Sequence, residues 1–250
     1  STSVYGRNAF DVNEDAPKNP THDYDQSKWA GEEAAVLACT EHNLPFTVLR
    51  PTLIYGPGGR YGIANALALL ALRAQSGLSK LPIAHGGPCG HHIHVEDVAR
   101  AAVTLSTDDR AKDSIFNLAD DAPLPAGELI RIFGEATGVR ITTPALPWWL
   151  TRCFGIFKPL LRRFFVKENS KLSHLWSKLA QRKNMVTELQ PRIDIDWVDF
   201  MFLHHSYDNG RLKELGFEFR HPDARVGLRE TVTWYKQNRW LPTVEAAEAK

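Results

Sequence analysis

Apolar and polar positions along this 250-residue chain switch repeatedly between a helical and a strand-like pattern. Residues 1–6, Ser-Thr-Ser-Val-Tyr-Gly, read as a strand end running into a turn, and residues 11–23, rich in Asp, Asn, Pro and Thr, as a loop. Ala, Glu and Lys throughout Tyr24 to His42, with Asn43 near the end, predict a helix. The β-branched run Phe46-Thr-Val-Leu-Arg50 after Pro45 predicts a strand, and the Gly/Pro-rich stretch 51–62 a loop. A mostly apolar helix is expected over 63–76, a turn over 86–90 and a short strand at His92–His94. A helix follows from Glu96 or Asp97 to Leu105, with Asp97 as its expected N-cap. Ser114 to Leu118 reads as a strand and Ala126 to Thr137 as a helix closed by Gly138. Strand and helix in alternation imply an α/β architecture with parallel pairing.

After Thr143 the texture changes. Residues 147–166 interleave Trp148, Trp149, Phe154, Phe157, Phe164 and Phe165 with Arg and Lys. The charges break any clean membrane span. A stretch of this kind can lie on a membrane surface, but aromatic positions at helical spacing are more often core, which favours a lid over a substrate pocket or a dimer surface. Residues 167–183 are basic and helical in texture. Residues 209–240 return to a compact pattern, with a turn at Gly216 and a final helix over about 226–238, and the tail after Pro242 reads as disordered. The expected division is therefore a catalytic part over 1–143 with interleaved substrate-binding segments, a substrate-binding or lid region over 144–240, and a tail over 241–250.

Composition narrows the function classes. A net charge of +1 gives no global field for nucleic acid. Cys39, Cys89 and Cys153 are far apart and odd in number, so no disulfide framework is expected and a reducing, cytoplasmic setting is. His91, His92 and His94 cluster locally, and 92 and 94 share a strand face that could suit a metal. No Asp, Glu or Cys stands at convincing ligand spacing, so packing or a substrate pocket is expected there and a metal is not. His204 and His205 show no partner in the sequence.

Tyr24-Asp-Gln-Ser-Lys28 carries the chemistry. A phenol and an ammonium four residues apart lie on one helix face, one turn apart. A nearby cation favours the phenolate, which lets the phenol exchange a proton near neutral pH. The surrounding blocks are Ser1-Thr-Ser-Val-Tyr-Gly6, Leu49-Arg-Pro-Thr-Leu-Ile-Tyr-Gly-Pro-Gly58, His92-Ile-His-Val-Glu-Asp-Val-Ala-Arg-Ala101, Leu212-Lys-Glu-Leu-Gly-Phe217 and Gly227-Leu-Arg-Glu-Thr-Val-Thr-Trp-Tyr235. With these blocks in this order, the chain resembles the extended short-chain dehydrogenase/reductases, the group of sugar-nucleotide epimerases and dehydratases and of 3β-hydroxysteroid dehydrogenases.

The resemblance implies the C-terminal part of a doubly wound Rossmann-type α/β domain plus a small C-terminal substrate-binding region. It implies NAD or NADP as cofactor and an alcohol or ketone, a sugar nucleotide or a sterol-like compound, as substrate. Tyr24 matches the proton-transferring tyrosine, Lys28 the lysine that assists it and binds the nicotinamide ribose, and Ser1 the hydroxyl donor, with Thr2 and Ser3 next if the register slips. Pro51, Thr52, Leu53 and Ile54 match the loop whose backbone meets the carboxamide. Hydride chemistry would fall to the nicotinamide ring, and a homodimer through the Tyr24 helix is implied for the complete protein.

The aromatic stretch after Thr143 favours an apolar substrate within that family. The chain departs from the family in having no Gly-x-x-Gly-x-x-Gly turn for the pyrophosphate. Gly56-Pro-Gly-Gly59 follows a different strand, and the residue that would select NAD or NADP has no counterpart. With a Ser at position 1, these departures give the expectation of a C-terminal portion of a longer enzyme, inactive by itself. The rival reading is a catalytically silent binding or regulatory protein on the same fold. The presence of Ser1, Tyr24 and Lys28 together argues against it.

Overall fold

A computed structural model describes residues 1–78, 80–82, 87–142, 154–193 and 203–243, with the backbone alone at Pro82 and over 154–167. In chain order it comprises β1 (Ala9–Val12), α1 (Asp23–Glu41), β2 (Thr47–Pro51), β3 (Leu53–Tyr55), α2 (Ile63–Gln75), β4 (Lys80–Pro82), β5 (Cys89–Gly90) and β6 (His92–His94). There follow α3 (Val95–Ser106), β7 (Ser114–Leu118), β8 (Leu124–Pro125), α4 (Ala126–Thr137), β9 (Arg140–Thr142), α5 (Phe154–Arg182), β10 (His205–Tyr207), α6 (Gly210–Glu214) and α7 (Ala224–Gln237). The trace of residues 79, 83–86, 143–153 and 194–202, Trp148 and Trp149 included, the side chains over 154–167, and the tail from 244 lie outside the described residues.

The chain divides into two compact units built from interleaved segments. The first comprises residues 1–54, 89–124 and 203–224. Its centre is the parallel pair β2–β7, in register from Thr47↔Ser114 to Pro51↔Leu118. On it pack Ile93, Ala101, Leu105, Phe116, Leu118 and Leu212, all buried. A second set of strands runs parallel in the order β1–β10–β5. Parallel strands with intervening helices give the Rossmann-type α/β class expected from the sequence.

The second unit comprises residues 55–88, 125–202 and 225–250. Here β4 pairs parallel with β9, and α2 buries Leu67, Leu70 and Leu72 in a stripe also rich in Ala. The close seat of α4 on β9 requires a glycine: a Cβ at Gly134 would stand 2.6 Å from both Ile141 and the Val139 carbonyl. The Tyr235 ring stacks on Trp240 at 5.7 Å and its hydroxyl donates to the Gly59 carbonyl at 2.8 Å.

Several local expectations are corrected. Residues 2–5 form a 3-10 turn, not a strand end. The turn is closed by Gly6, whose φ of 83° and whose 2.2 Å virtual Cβ approach to the Asn19 carbonyl exclude other residues. The loop expected from residue 11 is entered through a short strand, β1, and another, β3, lies inside the expected 51–62 loop. Asp97 is not an N-cap. That place belongs to His94, whose Nδ1 accepts the Glu96 N–H at 3.2 Å. The Asp97 carboxylate is buried instead and accepts the backbone N–H groups of Arg220 and His221, each at 2.8 Å. Among the described residues, no helix is long and apolar enough to cross a membrane.

Candidate functional site

All the residues singled out for catalysis fall in the first unit. Tyr24 and Lys28 occupy the first two turns of α1, which begins with Asp23 and Asp25 and thus complements its own dipole. The i, i+4 spacing does what helical geometry demands. Lys28 Nζ lies 5.3 Å from the centre of the Tyr24 ring. Tyr24 is 59% exposed, and neither its hydroxyl nor the Lys28 ammonium is hydrogen-bonded among the described residues.

Ser1 caps the 3-10 turn. Its Oγ accepts from the Ser3 N–H at 3.3 Å and donates to Ser3 Oγ at 3.2 Å. The turn itself packs against α1. The next residue ties this turn to the strand end, since Thr2 Oγ1 donates to the Pro51 carbonyl at 3.3 Å. Thr52 continues the strand's pairing by donating its N–H to the Leu118 carbonyl at 3.0 Å, while its buried hydroxyl has no partner among the described residues. Leu53 and Ile54 enter β3, with Ile54 exposed. The structure thus brings Tyr24 to Lys28 and Thr2 to Pro51. Ser1 makes its hydroxyl contacts within its own turn.

Beneath these groups lies a buried polar network that the sequence reading did not identify. The Arg50 guanidinium, on β2, is 1% exposed and pairs with Glu32 at 2.5 Å. Glu32 stands one turn beyond Lys28 on α1. Arg50 Nη1 also donates to the Tyr5 hydroxyl at 2.7 Å and to the Glu14 carbonyl at 3.1 Å. The Tyr5 hydroxyl donates onward to Asn117 Oδ1 at 2.7 Å, and the Asn117 N–H donates to the Glu14 carboxylate at 2.7 Å. Burial pushes the Tyr5 phenol up, against the pull of Arg50 beside it. Burial also opposes the charge on Arg50, yet the bonds from Glu32 and Tyr5 raise its pKa overall. One guanidinium therefore joins the helix of Tyr24 and Lys28, the turn of Ser1 and the strand leading to Pro51. The signal in the sequence was Arg50 itself, a charge within a β-branched run that a buried strand tolerates only with partners.

Three further titratable groups of this unit, His91, His92 and Asp120, are buried. His91 is held down to about 4 by burial, and its Nδ1 accepts the Tyr207 N–H at 2.9 Å. His92 is fully buried and pushed to about 3 by that burial. Burial raises Asp120 to about 8, although it accepts N–H bonds from His92 and Ala224. His204 Nδ1 accepts the Cys89 N–H at 3.3 Å. His94, grouped with 91 and 92 in the sequence, instead meets Glu96 and His221.

Comparisons with known proteins agree with this frame. Residues 1–119 match the model of the NAD dependent epimerase/dehydratase family. The chain is 26% identical over 168 residues to an N-acetyl-alpha-D-glucosaminyl-diphospho-ditrans,octacis-undecaprenol 4-epimerase of Escherichia coli O157:H7, covering 64% of this chain and 49% of that one. The chain spans about half the length of that relative or less of others, 40% for a UDP-glucose 4-epimerase of Vibrio cholerae. Among solved structures, the Thermotoga maritima UDP-glucose 4-epimerase with UDP-glucose superposes with a TM-score of 0.58 at 20% identity, over 94% of this chain and 61% of that one. The Bacillus cereus UDP-glucuronic acid 4-epimerase with UDP-glucuronic acid and NAD gives 0.61 at 16% identity, over 95% and 60%.

Proposed function

We propose that this chain, whose residues 1–119 carry the signature of the NAD dependent epimerase/dehydratase family, is the catalytic part of an NAD- or NADP-dependent oxidoreductase that epimerises a sugar nucleotide. The observation that carries the reading is the exposed Tyr24–Lys28 pair on α1. A buried, saturated frame supports that pair, while its own polar atoms make no hydrogen bonds among the described residues. The Vibrio cholerae relative and the two solved neighbours are named for UDP-sugars, which favours a sugar nucleotide over a sterol-like substrate. The Escherichia coli relative, named for a sugar diphosphate on undecaprenol, shares the sugar diphosphate alone.

The residues present fit the nicotinamide end of such a cofactor. Lys28 offers three unengaged donors to ribose hydroxyls, and the Thr52 hydroxyl, buried without a partner, stands in the segment expected at the carboxamide. When bound, the nicotinamide supplies the hydride chemistry that no side chain can. In the proposed reaction Tyr24 Oη takes the proton of the substrate hydroxyl during oxidation and returns it on reduction. The Lys28 ammonium stabilises the charge that develops on that oxygen. Ser1 Oγ holds the substrate oxygen as a hydrogen-bond partner. A homodimer joined along α1 belongs to the same proposal, since that helix buries only Asp25 and leaves Leu37 exposed.

The test is to incubate the complete protein with NAD and UDP-glucose or UDP-glucuronic acid, following the sugar by NMR and NADH by fluorescence. Inversion at a sugar carbon without net NADH supports an epimerase. Net NADH release transfers the reading to a dehydrogenase. Neither turnover nor cofactor binding would favour the silent, regulatory alternative.

A further inference from the structure

We propose a divalent transition-metal site, suited to zinc, formed by His94, Glu96 and His221. It lies wholly in the first unit and shares no residue with the proposed catalytic set. One ligand atom from each of the three residues can be chosen so that all lie within 4.8 Å of one another. Two already stand at ligand spacing: His221 Nε2 is 3.3 Å from Glu96 Oε2. Tetrahedral zinc with nitrogen and oxygen ligands at about 2.0–2.2 Å separates neighbouring ligand atoms by about 3.3–3.6 Å. The third group closes with a shift on the order of 1 Å, which a histidine rotamer can supply. The His94 and His221 ring centroids lie 3.7 Å apart at a 31° tilt, so both imidazoles are at hand, and one must rotate to aim its in-plane lone pair at a shared ion.

The surroundings hold the ligands in place. His221 sits far from Glu96 in sequence, but its backbone N–H is fixed by Asp97 Oδ2 at 2.8 Å, and that of Arg220 by Asp97 Oδ1 at 2.8 Å. Asp97 is the residue after Glu96, so the same helical turn positions both sides of the site. His94 is 5% exposed, while Glu96 is 39% exposed and leaves a way in for the ion. Two imidazoles and a carboxylate are a mixed nitrogen and oxygen set that suits zinc better than calcium or magnesium.

Three features oppose binding and set its strength. The start of α3 carries positive dipole charge, which the carboxylates of Glu96 and Asp97 offset. Whichever nitrogen of His94 ligates, it gives up its bond to the Glu96 N–H. Arg220 pairs with Glu96 Oε1 and brings a competing cation. Binding would pin the 220–221 loop to α3 and stabilise the fold by mass action.

The experiment is a zinc titration of the full chain against a chromophoric chelator, with Co²⁺ as a spectroscopic probe of the ligands and circular dichroism to confirm folding. The expected result is one zinc per chain, with a visible Co²⁺ spectrum of tetrahedral nitrogen and oxygen ligation. Glu96→Gln and His221→Gln should each weaken binding about a hundredfold, since even the loss of an outer-shell partner costs 10–100-fold. Arg220→Met keeps every ligand, frees Oε1 and removes a like charge, so it should tighten binding about threefold or more. That variant carries the test if a ligand variant fails to fold. No zinc uptake, uptake unaltered in both ligand variants, or an Arg220→Met chain that binds no tighter would each overturn the site.

Discussion

Two sets of polar side chains in the same unit have opposite character. Arg50, Tyr5, Glu14, Glu32 and Asn117 are buried or nearly so and engaged in mutual hydrogen bonds. Tyr24 and Lys28 are exposed, touch one another and hydrogen-bond to no described residue. Both sets meet on α1, where Glu32 faces the frame one turn after Lys28. Burial of an unpaired polar group is expensive, so a buried set survives only when saturated. An exposed set faces no such demand, and under the proposed function its donors serve a ligand. The contrast separates residues that hold the fold from residues that are offered outward.

The contrast is tested first by breaking the frame. Arg50→Met strands the buried Glu32 carboxylate and the Tyr5 hydroxyl, and should cost about 3–5 kcal/mol of stability, read by denaturant unfolding. A loss below 1 kcal/mol would show that the network holds nothing. Asn117→Ala removes the acceptor of the Tyr5 hydroxyl and should cost about 1–3 kcal/mol in the same measurement.

An effect of comparable size follows from pH. His91 is held near 4 in the fold against 6.5 unfolded, because it is buried. Between those values the unfolded chain binds more protons, so the stability present above pH 6.5 is lost as pH falls towards 4. The expected slope is about 1.4 kcal/mol per pH unit. Unfolding midpoints from pH 7 to 4.5 should fall, and His91→Gln should flatten that fall. A pH dependence left unchanged by His91→Gln would contradict it. The smallest change is expected at the exposed pair, where Lys28→Met should alter stability by less than about 0.5 kcal/mol yet weaken NAD binding by the complete protein in calorimetry.

The sequence was legible where a pattern is local and long enough to repeat. The helix expected over 24–42 is α1 at Asp23–Glu41, and that over 126–137 ends at Gly138 in the left-handed conformation. The strand expected at Ser114–Leu118 is β7. β1, β3 and β4 escaped because three or four residues show no period, and β1 includes Asp11 at a φ of 50°. The turn at Thr2–Tyr5 was misread because Thr, Val and Tyr favour strands intrinsically, and the chain's Gly6–Asn19 contact overrides that preference. The Tyr24–Lys28 pair was visible because helix geometry alone makes it. Partners joined only by tertiary folding were not visible: Arg50 with Glu32, 18 positions apart, and Glu96 with His221, 125 apart. The same distance in sequence hid the role of Asp97, whose position at a helix start suggested a cap.

The most direct test of the account is Tyr24→Phe in the complete protein, with turnover of the sugar nucleotide and thermal unfolding measured on one preparation. The ring remains and only an exposed hydroxyl is lost, so the unfolding midpoint should stay where it is. Turnover should fall on the order of a hundredfold or more, the usual consequence of removing a general acid–base. Turnover near the wild-type level, with the fold intact, would contradict the assignment of Tyr24 as the proton-transferring group.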